Sequence, residues 1–255
     1  MTEPQTQPEA PLKLDMFRGD RSELFIKQTK KGCIQELMGC EATNEFLIFN
    51  NKDESKTAPP IAYSLEESSF CMRLCCRNNR SFTQTVWEGT KDQNTGDSKG
   101  DVILTMERPL ACPLQPCCLC NFAPFMQTIN FGDIGSAEVP CFFFVPAIKV
   151  KDKNSEIKYN VQMPTCMGGI CVNCMAEGCC NCKIPFYIYP PGVDGSDGNQ
   201  VGKIVKLWRG LGTEIFTDAA SFQIEYPPDA DQESKALLTG TTFFINTLFF
   251  EKGNE

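Results

Sequence analysis

The feature that most constrains this chain is an apolar segment near its C-terminal end, Ala236 to Phe250. Such a segment either crosses a bilayer or fills a core. As a helix, fifteen residues rise only about 22 Å, short of the roughly 30 Å of hydrocarbon in a membrane. Thr239, Gly240, Thr241, Thr242, Asn246 and Thr247 also interrupt it, which a lipid-exposed span would not favour. A helix that is apolar nearly all round suits a protein interior. The sequence therefore predicts a buried helix over 235–251, with Leu237, Leu238, Phe243, Phe244, Ile245, Leu248, Phe249 and Phe250 as its packing surface.

The rest of the chain reads as strands. Short runs rich in β-branched and aromatic residues recur between turn signals. They are Glu23–Gln28, Glu45–Phe49, Ile61–Leu65, Phe82–Trp87 and Val102–Met106, then Cys141–Val145, Glu156–Val161, Pro185–Tyr189, Val201–Leu207 and Ser221–Tyr226. Two Gly- and Asp-rich stretches, Lys91–Gly100 and Pro190–Gly198, read as surface connections. No fixed-period repeat and no long amphipathic helix occurs before 235. Residues 1–20 are polar and proline-rich, the composition of a disordered tail. The organisation that follows is a tail over 1–20 and one all-β domain over 21–255.

Composition excludes several functions. The chain has no histidine, so Ser-His and Cys-His nucleophile pairs are absent, as is the commonest general base. A formal charge of −8 argues against broad nucleic-acid binding. The 255 residues hold 16 cysteines, and no secretory signal is visible in the polar N-terminal stretch, so a reducing compartment is expected and a disulfide framework is not.

Two cysteine clusters carry chemistry. Cys171-x-x-Cys174 and Cys179-x-x-Cys182 have the knuckle spacing that lets thiolates converge on tetrahedral zinc; the gap between the knuckles is short, and small buried thiols in tight loops fit better. The group Cys117, Cys118 and Cys120 lies beside Leu119 and Phe122 between prolines and suits S-acylation on an exposed loop, again against a buried-thiol alternative. Two or more acyl chains are needed for firm anchoring, at about 0.8 kcal/mol per buried methylene. Finally, Asp218 to Asp229 has the length of an EF-hand loop. Only its two ends are acidic, however, and the alternation Phe222, Ile224, Tyr226 describes a half-buried strand. A weak calcium site at the strand ends would use Asp218, Asp229 and Asp231.

Taken in order, Leu24–Gln28, Arg80–Thr83, Glu107–Cys112, Cys117–Leu119, Gly202–Gly210, Phe216–Ala219, Phe222, Asp229 and Phe249–Glu251 resemble the phospholipid scramblases over roughly residues 22–251. The resemblance implies a closed antiparallel tubby-like barrel around a hydrophobic C-terminal helix. It implies ATP-independent, calcium-stimulated, bidirectional movement of phospholipids between leaflets, by a protein that is not an enzyme. It further implies palmitate on Cys117, Cys118 and Cys120, calcium at the segment Asp218–Asp229, and residence at the cytoplasmic face of the plasma membrane or on other cytoplasmic membranes. Where the family has an acidic residue and a glycine in its calcium segment, this chain has Ala220 and Gln223. The same resemblance makes Cys171, Cys174, Cys179 and Cys182 part of the barrel rather than a zinc centre. The partners implied are phospholipids and signalling proteins, with no nucleic acid. The alternative function is an acyl-anchored module that binds lipids or proteins at the inner leaflet.

Overall fold

The computed structural model describes residues 14–18, 21–29, 44–76, 79–90, 100–110, 127–140, 147–163, 183–193, 198–207 and 220–250. Twelve strands form one closed barrel. They are β1 (Glu23–Gln28), β2 (Glu45–Phe49), β3 (Ala62–Glu67), β4 (Phe82–Glu88), β5 (Val102–Arg108) and β6 (Gln127–Asn130), then β7 (Gly135–Val139), β8 (Ala147–Asp152), β9 (Ile157–Gln162), β10 (Ile184–Tyr189), β11 (Gly202–Leu207) and β12 (Ser221–Glu225). Each strand pairs antiparallel with its sequence neighbours, and β1 closes the ring on β12 with Phe25 opposite Gln223. A short helix α1 (Phe70–Cys76) joins β3 to β4, and α2 (Gln232–Ile245) follows β12.

Alternation along the strands places one set of side chains in the lumen. Leu24 and Ile26 of β1, Phe46 and Ile48 of β2, Ile148 and Val150 of β8, Phe186 and Ile188 of β10 and Phe222 and Ile224 of β12 all join one buried core. That core also contains Ala236, Leu237, Leu238, Phe243, Phe244 and Ile245 of α2. Eight-strand barrels are filled by their own side chains and barrels of sixteen or more hold channels. A twelve-strand lumen leaves room for one helix, about 10 Å across, and α2 occupies it. Every residue from Ser234 to Ile245 is buried, so the expectation of a buried segment holds.

The helix begins at Gln232, three residues before the expected start, because the Asp231 carboxylate accepts the Ser234 N–H at 2.7 Å and caps it. Its threonines do not make it wet. Thr239, Thr241, Thr242 and Thr247 donate their hydroxyls to the carbonyls four residues back, at 2.8, 2.8, 3.0 and 3.3 Å, and so present methyl groups to the barrel. The last turn, Asn246–Phe250, is π-helical.

Three strands escaped the sequence reading. β6 (QTIN) and β7 (GSAEV) are short and half polar, and β8 (AIKVKD) shows only two inward residues, Ile148 and Val150. Pairing with neighbours, not composition, makes them strands. Leu14–Phe17, part of the expected disordered tail, forms a 3-10 turn that buries Met16 and Phe17 against α2 and β5. The proposed strand Cys141–Val145 lies outside the described residues.

One close approach makes the fit of helix and barrel testable. A Cβ on Gly240 would stand 2.6 Å from a Phe131 ring carbon. Gly240→Ala is therefore expected to lower stability by about 1–3 kcal/mol, although alanine is the better helix former. Thermal unfolding of the two proteins measures this, and an unchanged midpoint would mean the helix is not seated as described.

Candidate functional site

In a barrel of this topology the connections fall alternately at two ends. The end where β1 finishes and β2 begins is called the upper rim, and the opposite one the lower rim. The upper connections are 29–44, 68–81, 109–126, 140–146, 163–183 and 208–220, read from the strand limits. All 16 cysteines of the chain lie on them. The helix enters from the lower rim after β12 and ends at the upper one, where Phe250 meets Phe222 with ring centroids 5.9 Å apart and Lys206 lies 4.2 Å from the Phe250 ring centroid.

The upper rim is laced together by polar side chains facing the lumen. Arg80 grips the Glu66 carboxylate in bidentate fashion, Nη2 to Oε2 at 2.7 Å and Nε to Oε1 at 2.8 Å. Both side chains are almost wholly buried. The same carboxylate accepts the Asn44 amide at 2.7 Å and the Ser68 hydroxyl at 2.8 Å. Gln28 Nε2–H donates to Asn44 Oδ1 at 3.0 Å, while Gln28 Oε1 accepts the Ala220 N–H at 3.0 Å. On the other side Arg108 donates to the Arg80 carbonyl at 3.4 Å and to Gln127 Oε1. Arg80 and Arg108 also flank the Phe82 ring, 5.6 and 5.7 Å from its centroid. The belt thus ties the rim from β12 through β1 to β6. A buried carboxylate with this many donors is neutralised locally rather than left as an isolated charge.

Outside the barrel wall, beside this belt, α1 and strands β3–β6 enclose a cleft of about 480 Å³ lined by Ser68, Ser69, Met72, Thr83, Glu107 and Asn130 among others. Its floor is the outward row Glu67, Thr83, Glu107, Asn130, which are register partners across four strands.

The lower rim holds two of the expected calcium ligands. Asp229 and Asp231 follow β12, near Tyr159. Burial pushes the Tyr159 hydroxyl above its ordinary value; Ser234 counters this, and the two aspartates add to it. Burial also pushes Asp231 up, but its bonds from Ser234 and the charge of Lys158 outweigh that and hold it below the usual carboxylate value. Asp218 is on the upper connection 208–220 and lies outside the described residues. Asp229 and Asp231 both act on Tyr159 at the lower end of β12. Among the described residues no group of three or more Cys, Asp or Glu converges as metal ligands do. Cys117, Cys118, Cys120, Cys171, Cys174, Cys179 and Cys182 also lie outside the described residues.

A closed antiparallel barrel filled by its own C-terminal helix is the class of protein that this geometry defines. A family model described as Scramblase matches residues 1–252, and the chain belongs to that family. It is similar to phospholipid scramblase 2 of Bos taurus, 31% identical over 223 residues, which cover 86% of this chain and 65% of the relative. Phospholipid scramblase 1 of Mus musculus is 31% identical over 228 residues, covering 87% and 60%. Phospholipid scramblase 1 of Homo sapiens is 30% identical over 223 residues, covering 86% and 60%. The chain thus spans somewhat under two thirds of the length of these relatives. No solved structure matches it significantly.

The belt escaped the sequence reading as a unit. Gln28, Arg80 and Arg108 belong to three separate motifs, and nothing in their spacing shows that they meet. Replacing Arg80 by leucine leaves the Glu66 charge buried without its main partner and is expected to cost about 3–5 kcal/mol. Glu66→Leu combined with Arg80→Leu is expected to cost less than Arg80→Leu alone, as measured by denaturant unfolding of the single and double variants.

A second test uses Tyr226, which is buried where α2 begins. Its hydroxyl lies 2.7 Å from Thr239 Oγ1. Because Thr239 already donates to the Lys235 carbonyl at 2.8 Å, Tyr226 is the donor. Burial raises the Tyr226 hydroxyl well above its ordinary 10.0; the Thr239 hydroxyl, which can turn from the Lys235 carbonyl to donate to a phenolate, and Arg21 pull the other way and are outweighed. The folded state therefore holds this proton more tightly than the unfolded chain. Its contribution is complete below about pH 10 and is lost progressively above it. Tyr226→Phe is expected to flatten the fall in stability between about pH 10 and 12, read from unfolding midpoints across that range. An unaltered alkaline slope would mean that the hydroxyl is not buried.

Proposed function

We propose that the protein moves phospholipids between the leaflets of a bilayer in both directions, without ATP and with stimulation by calcium, as a lipid transporter rather than an enzyme. The observation that carries this reading is the family match across nearly the whole chain, with relatives that are named phospholipid scramblases.

Attachment to the membrane is part of the same proposal. Palmitate on Cys117, Cys118 and Cys120 would supply the two or more chains needed for a stable anchor, holding the protein at the cytoplasmic face of the plasma membrane. The three cysteines fall within four residues of one connection, 109–126, close enough in sequence for their chains to act together. In the calcium part of the proposal the ligands are Asp218, Asp229 and Asp231, of which Asp229 and Asp231 follow β12 at the lower rim. The knuckles Cys171–Cys174 and Cys179–Cys182 are taken as thiols of the barrel connections rather than as a zinc centre.

One observation favours a second reading, an anchored module that binds lipids or signalling proteins without moving lipid. The helix α2 is spent inside the barrel, and among the described residues no helix is long and apolar enough to cross a membrane. The two readings separate in a reconstitution. Purified full-length protein in vesicles carrying fluorescent phospholipid is expected to make the inner-leaflet probe accessible to dithionite, faster with calcium than with chelator. Exchange no faster than in empty vesicles in both arms would reject scrambling and leave the binding module. Equal exchange in the two arms would reject the calcium part alone.

A further inference from the structure

The outer wall of the barrel treats its carboxylates in two ways. On four strands an outward glutamate has a partner close by. Glu138 of β7 meets Lys151 at 2.7 Å, and Glu225 of β12 meets Lys203 at 3.0 Å. Glu23 of β1 accepts from Gln223 Nε2 at 3.0 Å, and Glu45 of β2 accepts from the Thr29 hydroxyl at 3.3 Å. Glu67 of β3 and Glu107 of β5 depart from this. Both stand opposite Thr83 in the register of β3, β4 and β5, and Asn130 of β6 lies opposite Glu107. Among the described residues neither carboxylate has an ion pair or a side-chain hydrogen bond. Glu88 is alike in this, but it ends β4 and lies outside the cleft.

What sets Glu67 and Glu107 apart is the cleft of about 480 Å³ that they line, every lining residue of which is described. That volume is ordinary for a small-molecule site. Two kinds of polar group face it. The floor offers acceptors, two carboxylates with the Thr83 hydroxyl between them. Strands two apart are separated by about 10 Å, so both long side chains can close on one cation above Thr83. The side toward the upper rim offers donors. Ser81, two residues along the chain from Thr83 and so about 7 Å away, presents a hydroxyl there. Ser69 and Arg108 also line this side. Ser69 Oγ accepts the Met72 N–H at 3.2 Å, which leaves its own proton for an outside acceptor. Met72 and Pro109 add apolar contact.

We propose that this cleft binds a phosphorylated primary amine, its ammonium on Glu67, Glu107 and Thr83 and its phosphate toward Ser69, Ser81 and Arg108. A primary ammonium has three N–H donors and no acceptor, which matches the three acceptors of the floor, two of them charged. A quaternary ammonium has no N–H to give and is held over aromatic faces instead. The one aromatic ring lining the cleft, Phe82, is already flanked by Arg80 and Arg108, 5.6 and 5.7 Å from its centroid. A bare divalent cation would leave the donor side unused and would sit beside the Arg108 charge. Two sources carry the matching chemistry, the ethanolamine headgroup of a phospholipid and free phosphoethanolamine. The lipid source rests on the reading that the protein acts on phospholipids, and it adds the headgroup; the chemistry of the cleft stands apart from that reading.

The test uses the full chain in reducing buffer. Titration calorimetry with O-phosphoethanolamine is expected to show saturable binding in about the millimolar range, with phosphocholine about tenfold weaker. Glu67→Gln combined with Glu107→Gln changes only exposed side chains, so the thermal midpoint stays and binding falls about tenfold. Glu88→Gln, outside the cleft, changes it within about twofold. Absence of saturable binding, equal binding of phosphocholine, or a double variant that binds like wild type would each overturn the proposal. Co-sedimentation with vesicles of phosphatidylcholine, with and without phosphatidylethanolamine, separates the sources. Preference for phosphatidylethanolamine that the double variant loses assigns the headgroup. Binding of the free compound with no such preference assigns the soluble ligand and rejects the lipid. Lipid exchange in the same vesicles keeps the two readings apart. Exchange without phosphoethanolamine binding rejects the cleft and leaves scrambling; binding without exchange rejects scrambling and leaves the cleft.

Discussion

The closed barrel depends on its filler. Twelve strands enclose a lumen too wide for their own side chains, and an empty apolar cavity of that size would cost far more than a small domain's net stability. The chain solves this with a helix whose own chemistry is adapted to the position. Thr239, Thr241, Thr242 and Thr247 return their hydroxyls to the helix backbone, so a segment with several polar residues behaves as an apolar rod. Gly240 lets the rod lie against Phe131, and Phe243 meets Phe46 edge-on with centroids 5.1 Å apart. Burial of Leu237, Leu238, Phe243, Phe244 and Ile245 alone contributes on the order of 10 kcal/mol, counted against an extended chain.

Around this rod the two ends of the barrel are built differently. At the lower end backbone capping and a tyrosine do the work: Asp231 caps α2 and Tyr226 bonds Thr239. At the upper end a ring of long polar side chains, centred on Arg80 and Glu66, ties the rim from β12 to β6. Three of the sequence motifs that carried the family resemblance, Leu24–Gln28, Arg80–Thr83 and Glu107–Cys112, each contribute one member of that ring: Gln28, Arg80 and Arg108. Their separation along the chain conceals a shared structural role. Part of what looks like a functional signature is thus the joinery of the rim that bears the cysteines.

The legibility of the fold follows from these forces. Strands such as Glu23–Gln28 and Glu45–Phe49 were readable to the residue, because inward Leu24, Ile26, Phe46 and Ile48 give them a strong apolar face. The buried helix was readable from its length and composition. β6 and β7 were not, because Gln127 and Thr128 or Gly135 and Ser136 say nothing about strand pairing until neighbours supply it. The belt was also hidden, since bidentate contact between residues fourteen positions apart depends on register across β3 and β4 rather than on any local pattern. Of the calcium aspartates read at the strand ends, Asp229 and Asp231 follow β12 on the lower rim, and Asp218 lies outside the described residues.

The filled lumen bears directly on where the protein could pass or bind a ligand. A pore through the barrel would require α2 to leave, giving up burial on the order of 10 kcal/mol and exposing an equally apolar wall. No binding event of ordinary strength offsets both at once, since micromolar affinity is worth only about 8 kcal/mol. A ligand path is therefore more economical outside the wall, where a polar row of Glu67, Thr83, Glu107 and Asn130 runs across β3 to β6. Such a route leaves the helix to do the one task its chemistry is adapted to, holding twelve strands closed.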